Sequence, residues 1–192
     1  MSRAAPHLQV KELAVIVAVT AGESVHLRAP FHPDLAYRAR GYRGRWIPDI
    51  NAWSFERAYE HNVRGICMSI WGVDGYPERF EDLCDLEIVV SACDTPTEPF
   101  YRLNSDLYLG GRHIAGVLRK PCIVRPGKQV SYRKGGPVFH REGAGWWLQV
   151  PGGSEFVIHQ VPRMAIPYFE RCLEGHGVLR VLSPSAERCR KE

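Results

Sequence analysis

The chain has 192 residues, 45% hydrophobic and 24% charged, which is ordinary globular composition and enough for one large domain or two small ones. No run of about 18 apolar residues occurs, which excludes a membrane-spanning helix. Ala14–Val19 is apolar but short, Lys11 and Glu12 interrupt any leader-like pattern, and a soluble cytoplasmic protein is expected. The formal net charge of +4 is unevenly divided: residues 1–94 hold 10 basic and 13 acidic side chains (−3), residues 95–192 hold 15 and 8 (+7).

In chain order, Leu8–Thr20 is rich in β-branched residues and predicts a strand. Ala21-Gly22-Glu23-Ser24 is a turn, and Val25–Ala29 alternates as a second strand that Pro30 ends. His32-Pro33-Asp34 reads as a helix start, with Leu35, Ala36 and Ala39 inward and Gly41 and Gly44 as the stop. A basic loop follows, with Arg38, Arg40, Arg43 and Arg45. Arg45–Ile47 and Ala52–Phe55 predict a hairpin around Pro48-Asp49-Ile50-Asn51, with Trp46 and Trp53 sharing a face. From about Glu56 to Trp71, Tyr59, Val63, Ile66, Cys67 and Ile70 recur at helical spacing.

The order proline-led helix, Gly44-Arg45-Trp46, Pro-Asp turn, Ala52-Trp53-x-Phe55 and amphipathic helix resembles the HARP-type module over roughly residues 24–72. That module accompanies annealing helicases and recurs in small bacterial and mobile-element proteins. The resemblance implies a compact α+β unit that engages single-stranded or forked DNA, with Gly44, Arg45, Trp46, Trp53 and Phe55 as the matching positions. The chain has no G-x-x-x-x-G-K-[ST] loop, so no P-loop ATP motor accompanies it.

From Asp74 the chain turns acidic: Asp74, Glu78, Glu81, Asp82, Asp85, Glu87, Asp94 and Glu98 face only Arg79. Glu87–Ser91 predicts a strand, and the Pro-rich Asp94–Phe100 a linker. The second part carries strand signals at close spacing. Asp106–Leu109 and Arg112–Leu118 flank a Gly-Gly turn, Val138–Arg141 faces Trp146–Val150, Lys128–Arg133 alternates, and Phe156–Gln160 follows a Pro-Gly-Gly turn. A helix is expected over Met164–Leu173 and an edge strand over Val178–Leu182. The fold class is therefore α+β: a small two-layer α+β domain (1–93), a linker (94–104), and a β-rich domain (105–192) built as a small barrel or bent sheet.

Between Arg112 and Arg141 stand eight basic residues and no acidic one, among them Arg112, Arg119, Lys120, Arg125, Lys128, Arg133 and Lys134. Such segregation points to a polyanion-binding face. The expected interface joins these residues to Arg38, Arg40, Arg43 and Arg45, with Trp53 and Trp147 as stacking aromatics. The plain reading beside it makes Trp46 and Trp53 core anchors and the basic residues a solvated face. Trp146 and Trp147 are adjacent, so one points in and the other out.

The six cysteines form no C-x-x-C pair, so neither zinc nor a disulfide framework is expected, nor any cofactor. Ser131, Ser154 and Cys122 lie in no nucleophile motif. A catalytic reading would need His113, His140 or His159 to converge with Asp106 or Glu155. The leading expectation is a non-catalytic nucleic-acid-binding accessory protein, its partner single-stranded or forked DNA, of mobile-element type. The alternatives are an inhibitor that docks on a nucleic-acid-handling complex through the acidic stretch, and a nuclease or transferase without a recognisable motif.

Overall fold

A computed structural model of the chain describes residues 18–76, 82–92, 98–118 and 123–182. It is a strand-rich α+β protein, with three α-helices and four antiparallel sheets among those residues. The first sheet has strands β1 (Ala18–Ala21), β2 (Ser24–Arg28), β3 (Arg45–Ile47) and β4 (Ala52–Glu56) in the order β1-β2-β4-β3. Most of the expected Leu8–Thr20 strand lies outside the described residues. The β3–β4 connection is a 3-10 turn, Pro48–Ile50, closed by Asn51 at φ 50°, a left-handed position that asparagine tolerates. Trp46 then falls directly opposite Trp53, with ring centroids 5.8 Å apart and edge to face.

Helix α1 (Pro33–Gly41) starts as the sequence predicts: His32 is the N-cap, its Nδ1 accepting from Asp34 N at 3.3 Å, and Pro33 occupies the first turn. Its end differs from the expectation. The left-handed residue is Arg43 (φ 58°), not a glycine. Gly44 is needed for a different reason: a Cβ there would lie 2.4 Å from the Phe55 ring and 2.8 Å from Ala39 O. Helix α2 (Glu60–Trp71) closes on Gly72 at φ 68°, whose N–H donates to Met68 O. Leu35 and Ala39 of α1 and Val63, Ile66 and Ile70 of α2 are buried, with Val25, Leu27 and Phe55 of the sheet in the same core.

Strand β5 (Leu83–Val90) lies before the expected linker, yet it pairs with strands that follow it. With β10 (Val130–Lys134), β13 (Glu155–Pro162) and β14 (Gly177–Leu182) it forms a sheet of order β10-β13-β5-β14. Its residues alternate: Cys84, Leu86, Ile88 and Val90 are buried, Asp85 and Glu87 face outward. Within the expected linker, Tyr101–Leu103 forms β6, which joins β11 (Val138–Glu142) and β12 (Gly145–Gln149) in the order β11-β12-β6. Strands β7 (Leu107–Leu109), β8 (Arg112–Leu118) and β9 (Ile123–Pro126) form the fourth sheet, with the expected Gly-Gly hairpin between β7 and β8. Helix α3 (Ile166–Leu173) follows a 3-10 turn at Arg163–Ala165, and β14 is an edge strand as expected.

The buried side chains of both halves belong to one cluster, from Val25 and Ile66 through Trp71 to Leu107, Phe156 and Phe169. The junction is tight. Trp71 Nε1 donates to Gly111 O at 3.1 Å, and a Cβ on Gly111 (φ 72°) would meet Ile70 O at 2.3 Å. Gly143, in the β11–β12 turn, has a similar φ of 58° with open space around it. Gly143→Ala therefore carries only the left-handed backbone term of about 1–2 kcal/mol. Gly111→Ala adds overpacking of about 1–3 kcal/mol. We expect the urea midpoint of Gly111→Ala to fall well below that of Gly143→Ala, at unchanged m-value.

Candidate nucleic-acid interface

A groove with a volume of about 1210 Å³ runs between α1 and α2. Its geometry follows from helical spacing. Asp34, Tyr37, Arg38 and Gly41 fall at i, i+3, i+4 and i+7 on α1, opposite the buried row of Leu35 and Ala39. Across from them α2 presents His61, Asn62, Gly65 and Ser69. Arg40 and Tyr42 complete one end. Tyr37 is 84% exposed. Arg38 is held in place: its Nη1 donates to Ser69 Oγ at 2.7 Å, and that hydroxyl donates to Ile66 O.

Gly41 and Gly65 leave the floor bare, since a Cβ at either position would meet nothing within 4 Å. A glycine inside a helix destabilises it by roughly 0.5–1 kcal/mol relative to alanine. Packing does not require Gly65; what its missing side chain provides is the groove.

The structure sorts the sequence-predicted residues into several groups. Arg38 and Arg40 line the groove, and Arg43 stands exposed at the left-handed turn beyond it. Arg45 is exposed on β3, but strand alternation puts it on the face opposite Trp46. Trp53 is half-buried and packs on the core, while Trp46, 45% exposed, is the more open indole of the pair. Arg40, Arg43, Arg45, Arg125 and Lys128 make no ion pair among the described residues, and Lys128 borders a second cavity of about 300 Å³ beside Phe31 and Tyr108.

The basic residues of the second half divide: Arg125 and Lys128 are exposed, whereas others are engaged within the chain. Arg112 is 8% exposed and internal: Nη1 donates to Gln129 Oε1 at 3.1 Å and Nη2 to Gln160 O at 3.3 Å, clamping β8, the β9–β10 turn and β13. Burial lowers its pKa to about 10, so it remains a cation at neutral pH. Arg133 donates to Glu87, and Lys134 lies 3.4 Å from Glu155. Arg119 and Lys120 lie outside the described residues. Trp147 is half-buried, with one ring face stacked on His140 at 5.1 Å and 16°.

Glu78, Glu81 and Asp94 of the acidic stretch lie outside the described residues; among the described ones, most are occupied within the chain. Asp82 pairs with Arg163 at 2.9 Å, Glu87 with Arg133 and Arg180, and Glu98 with Arg102 at 3.0 Å. Opposite charges segregated in sequence thus recombine in space.

The histidines separate. His113 Nε2 lies 3.3 Å from Asp106 Oδ2, a close approach without hydrogen-bond alignment. His140 is the stacking partner of Trp147, and His159 meets Asp85 instead of Asp106 or Glu155. Nothing local in the sequence marks Asp85 as that partner, because 74 residues separate the two. Cys67 is buried, and desolvation pushes its thiol up to about 12, which keeps it protonated and inert.

Comparison of the chain with protein-family models, with curated proteins and with solved structures found no match.

His32, which starts α1 and so orients the groove, also gives a pH signature. Its pKa is held below the ordinary 6.5, chiefly by burial, with Asp34 opposing and Arg102 and Arg38 assisting. The cap uses an unprotonated Nδ1. The unfolded chain takes up a proton near the ordinary value while the folded chain resists. This contribution to stability is therefore complete above about pH 6.5 and declines as pH falls from there toward the folded value. We expect urea midpoints to drop over that window, and His32→Asn, which keeps a capping oxygen but cannot titrate, to flatten the drop.

Proposed function

We propose that the chain binds nucleic acid, single-stranded or forked DNA, through the α1–α2 groove. The observation that carries this reading is the bare glycine floor between walls bearing Arg38, Arg40 and the exposed Tyr37 ring. A single strand needs cations along its backbone and a planar side chain for an unpaired base. Asp34 is the one carboxylate lining the groove among the described residues. The likeness of residues 24–72 to the HARP-type module points the same way, and Trp46 and Arg43 extend the reading beyond the groove. The inhibitor reading has less support, because Asp82, Glu87 and Glu98 already hold cations of the same chain.

Anisotropy titrations with a fluorescent single-stranded oligonucleotide test this reading. Arg38→Ala and Arg40→Ala should each weaken binding and reduce the log–log salt slope by about 0.7. Tyr37→Ala should remove about 1–3 kcal/mol if the ring stacks on a base. Gly65→Ala should raise stability by roughly 0.5–1 kcal/mol, and Gly65→Leu should fill the groove and block the oligonucleotide. Lys134→Ala, outside the groove, should bind as the parent does. Equal binding by the Arg38, Arg40 and Gly65→Leu variants would refute the assignment.

A further inference from the structure

Away from the groove, the outer face of the sheet β10-β13-β5-β14 carries a second constellation. Ser131 on β10, His159 on β13 and Asp85 on β5 stand on three adjacent strands. Ser131 Oγ lies 3.0 Å from His159 Nε2, and His159 Nδ1 lies 2.7 Å from Asp85 Oδ2. An ionised carboxylate only accepts, so Nδ1 carries the proton, and a neutral ring then turns a bare Nε2 toward the serine hydroxyl. The other carboxylate oxygen, Asp85 Oδ1, accepts from Gln160 N at 3.1 Å. That N–H is available because β13 bulges: the register shifts between Ile158 and Val161, and Gln160 takes φ 55°. Bulges re-aim side chains, and a non-glycine residue in the left-handed region is strained. Here the strain sits next to the imidazole and fixes the carboxylate that orients it. His159 is 8% exposed, whereas the serine at the end of the relay is open to solvent.

The neighbouring row of the same face shows what plain sheet stabilisation looks like. There Arg133, Glu87 and Arg180 form a charge ladder across β10, β5 and β14. The Ser131 row differs in ending on an exposed hydroxyl, with its base and the base's orienter already at hydrogen-bond distance.

We infer that Ser131 is an activated nucleophile for acyl transfer from small carboxylic esters, with His159 as general base and Asp85 as the positioning residue. Ser131 Oγ forms a bond to the ester carbonyl carbon while its proton passes to His159 Nε2. Collapse of the tetrahedral adduct breaks the bond to the alcohol oxygen, and the alcohol leaves with that proton. Water then attacks the acyl-serine by the same route, releasing the acid and restoring the hydroxyl. Ser131 is exposed on the sheet face, so the ester class is one that approaches from solvent. This site is independent of the proposed DNA groove.

The full chain treated with a fluorophosphonate probe provides the test, read by peptide mass spectrometry. The Ser131 oxygen–phosphorus bond forms, fluoride leaves, and His159 takes the proton. We expect Ser131 to be labelled in the native chain and labelling to disappear in urea. Asp85→Asn, which keeps the shape and leaves circular dichroism unchanged, should slow labelling at least about tenfold by favouring the wrong tautomer. p-Nitrophenyl acetate turnover should be lost in Ser131→Ala. No adduct on Ser131 in the native chain, or an adduct formed equally fast in urea, would overturn the inference, as would labelling unaffected by Asp85→Asn.

Discussion

The pairing of β5 with β13 is the interaction on which the rest of the structure depends. One side of β5 is a row of buried apolar residues, Cys84, Leu86, Ile88 and Val90, and the other side carries Asp85 and Glu87. A one-residue slip would drive both carboxylates into the core and bring the apolar row out to water. Register is therefore fixed twice, by the hydrophobic side and by the cations that meet the acids. Leu86 and Ile88 are fully buried, and each contributes about 1.5–3 kcal/mol relative to exposure. The partner strand begins 65 residues after β5 ends, so these contacts form only after a long loop closes.

What could be read from the sequence was what is local. His32-Pro33-Asp34 announces a helix because capping chemistry is confined to one turn, and the β7–β8 hairpin is announced by Gly110-Gly111. The Trp46–Trp53 pair follows from the turn between them. Long-range features were not legible. The acidic run and the basic run looked like separate surfaces because each was seen without its partner. Glu87 meets Arg133 and Arg180 only after β5 has been inserted between strands drawn from later in the chain. Arg112 shows the same blind spot: its place in an alternating strand gives no sign that Gln129 and Gln160 O will enclose it. On α1 the arginines were legible as a basic segment. That Arg38 and Arg40 share a groove with α2, while Arg45 turns to another face, required the tertiary arrangement.

Two ways of placing polar groups coexist in this fold. In the α1–α2 groove, Arg38 is anchored by a neutral hydroxyl and keeps its charge available to a ligand. On the outer face of the second sheet, charges are largely satisfied by one another, with the hydroxyl of Ser131 left at the end of a chain that starts at Gln160 N. The first arrangement favours electrostatic capture of a polyanion. The second holds a proton-transfer path in a fixed geometry, which is a requirement of chemistry more than of binding. Their separation on different elements lets each proposed role be examined without disturbing the other.

Close approach at the junction has a consequence for ancestry. Besides Gly111, a Cβ on Gly72 would lie 2.4 Å from Tyr168. Two glycines thus serve as the mating surface between the α1–α2 unit and the strands and helix α3 that follow. A recombination event that grafted only one side onto a foreign host would inherit a socket without its plug, with Trp71 or Tyr168 stripped of its partner. A change on one side of this seam therefore has to be matched by a change on the other.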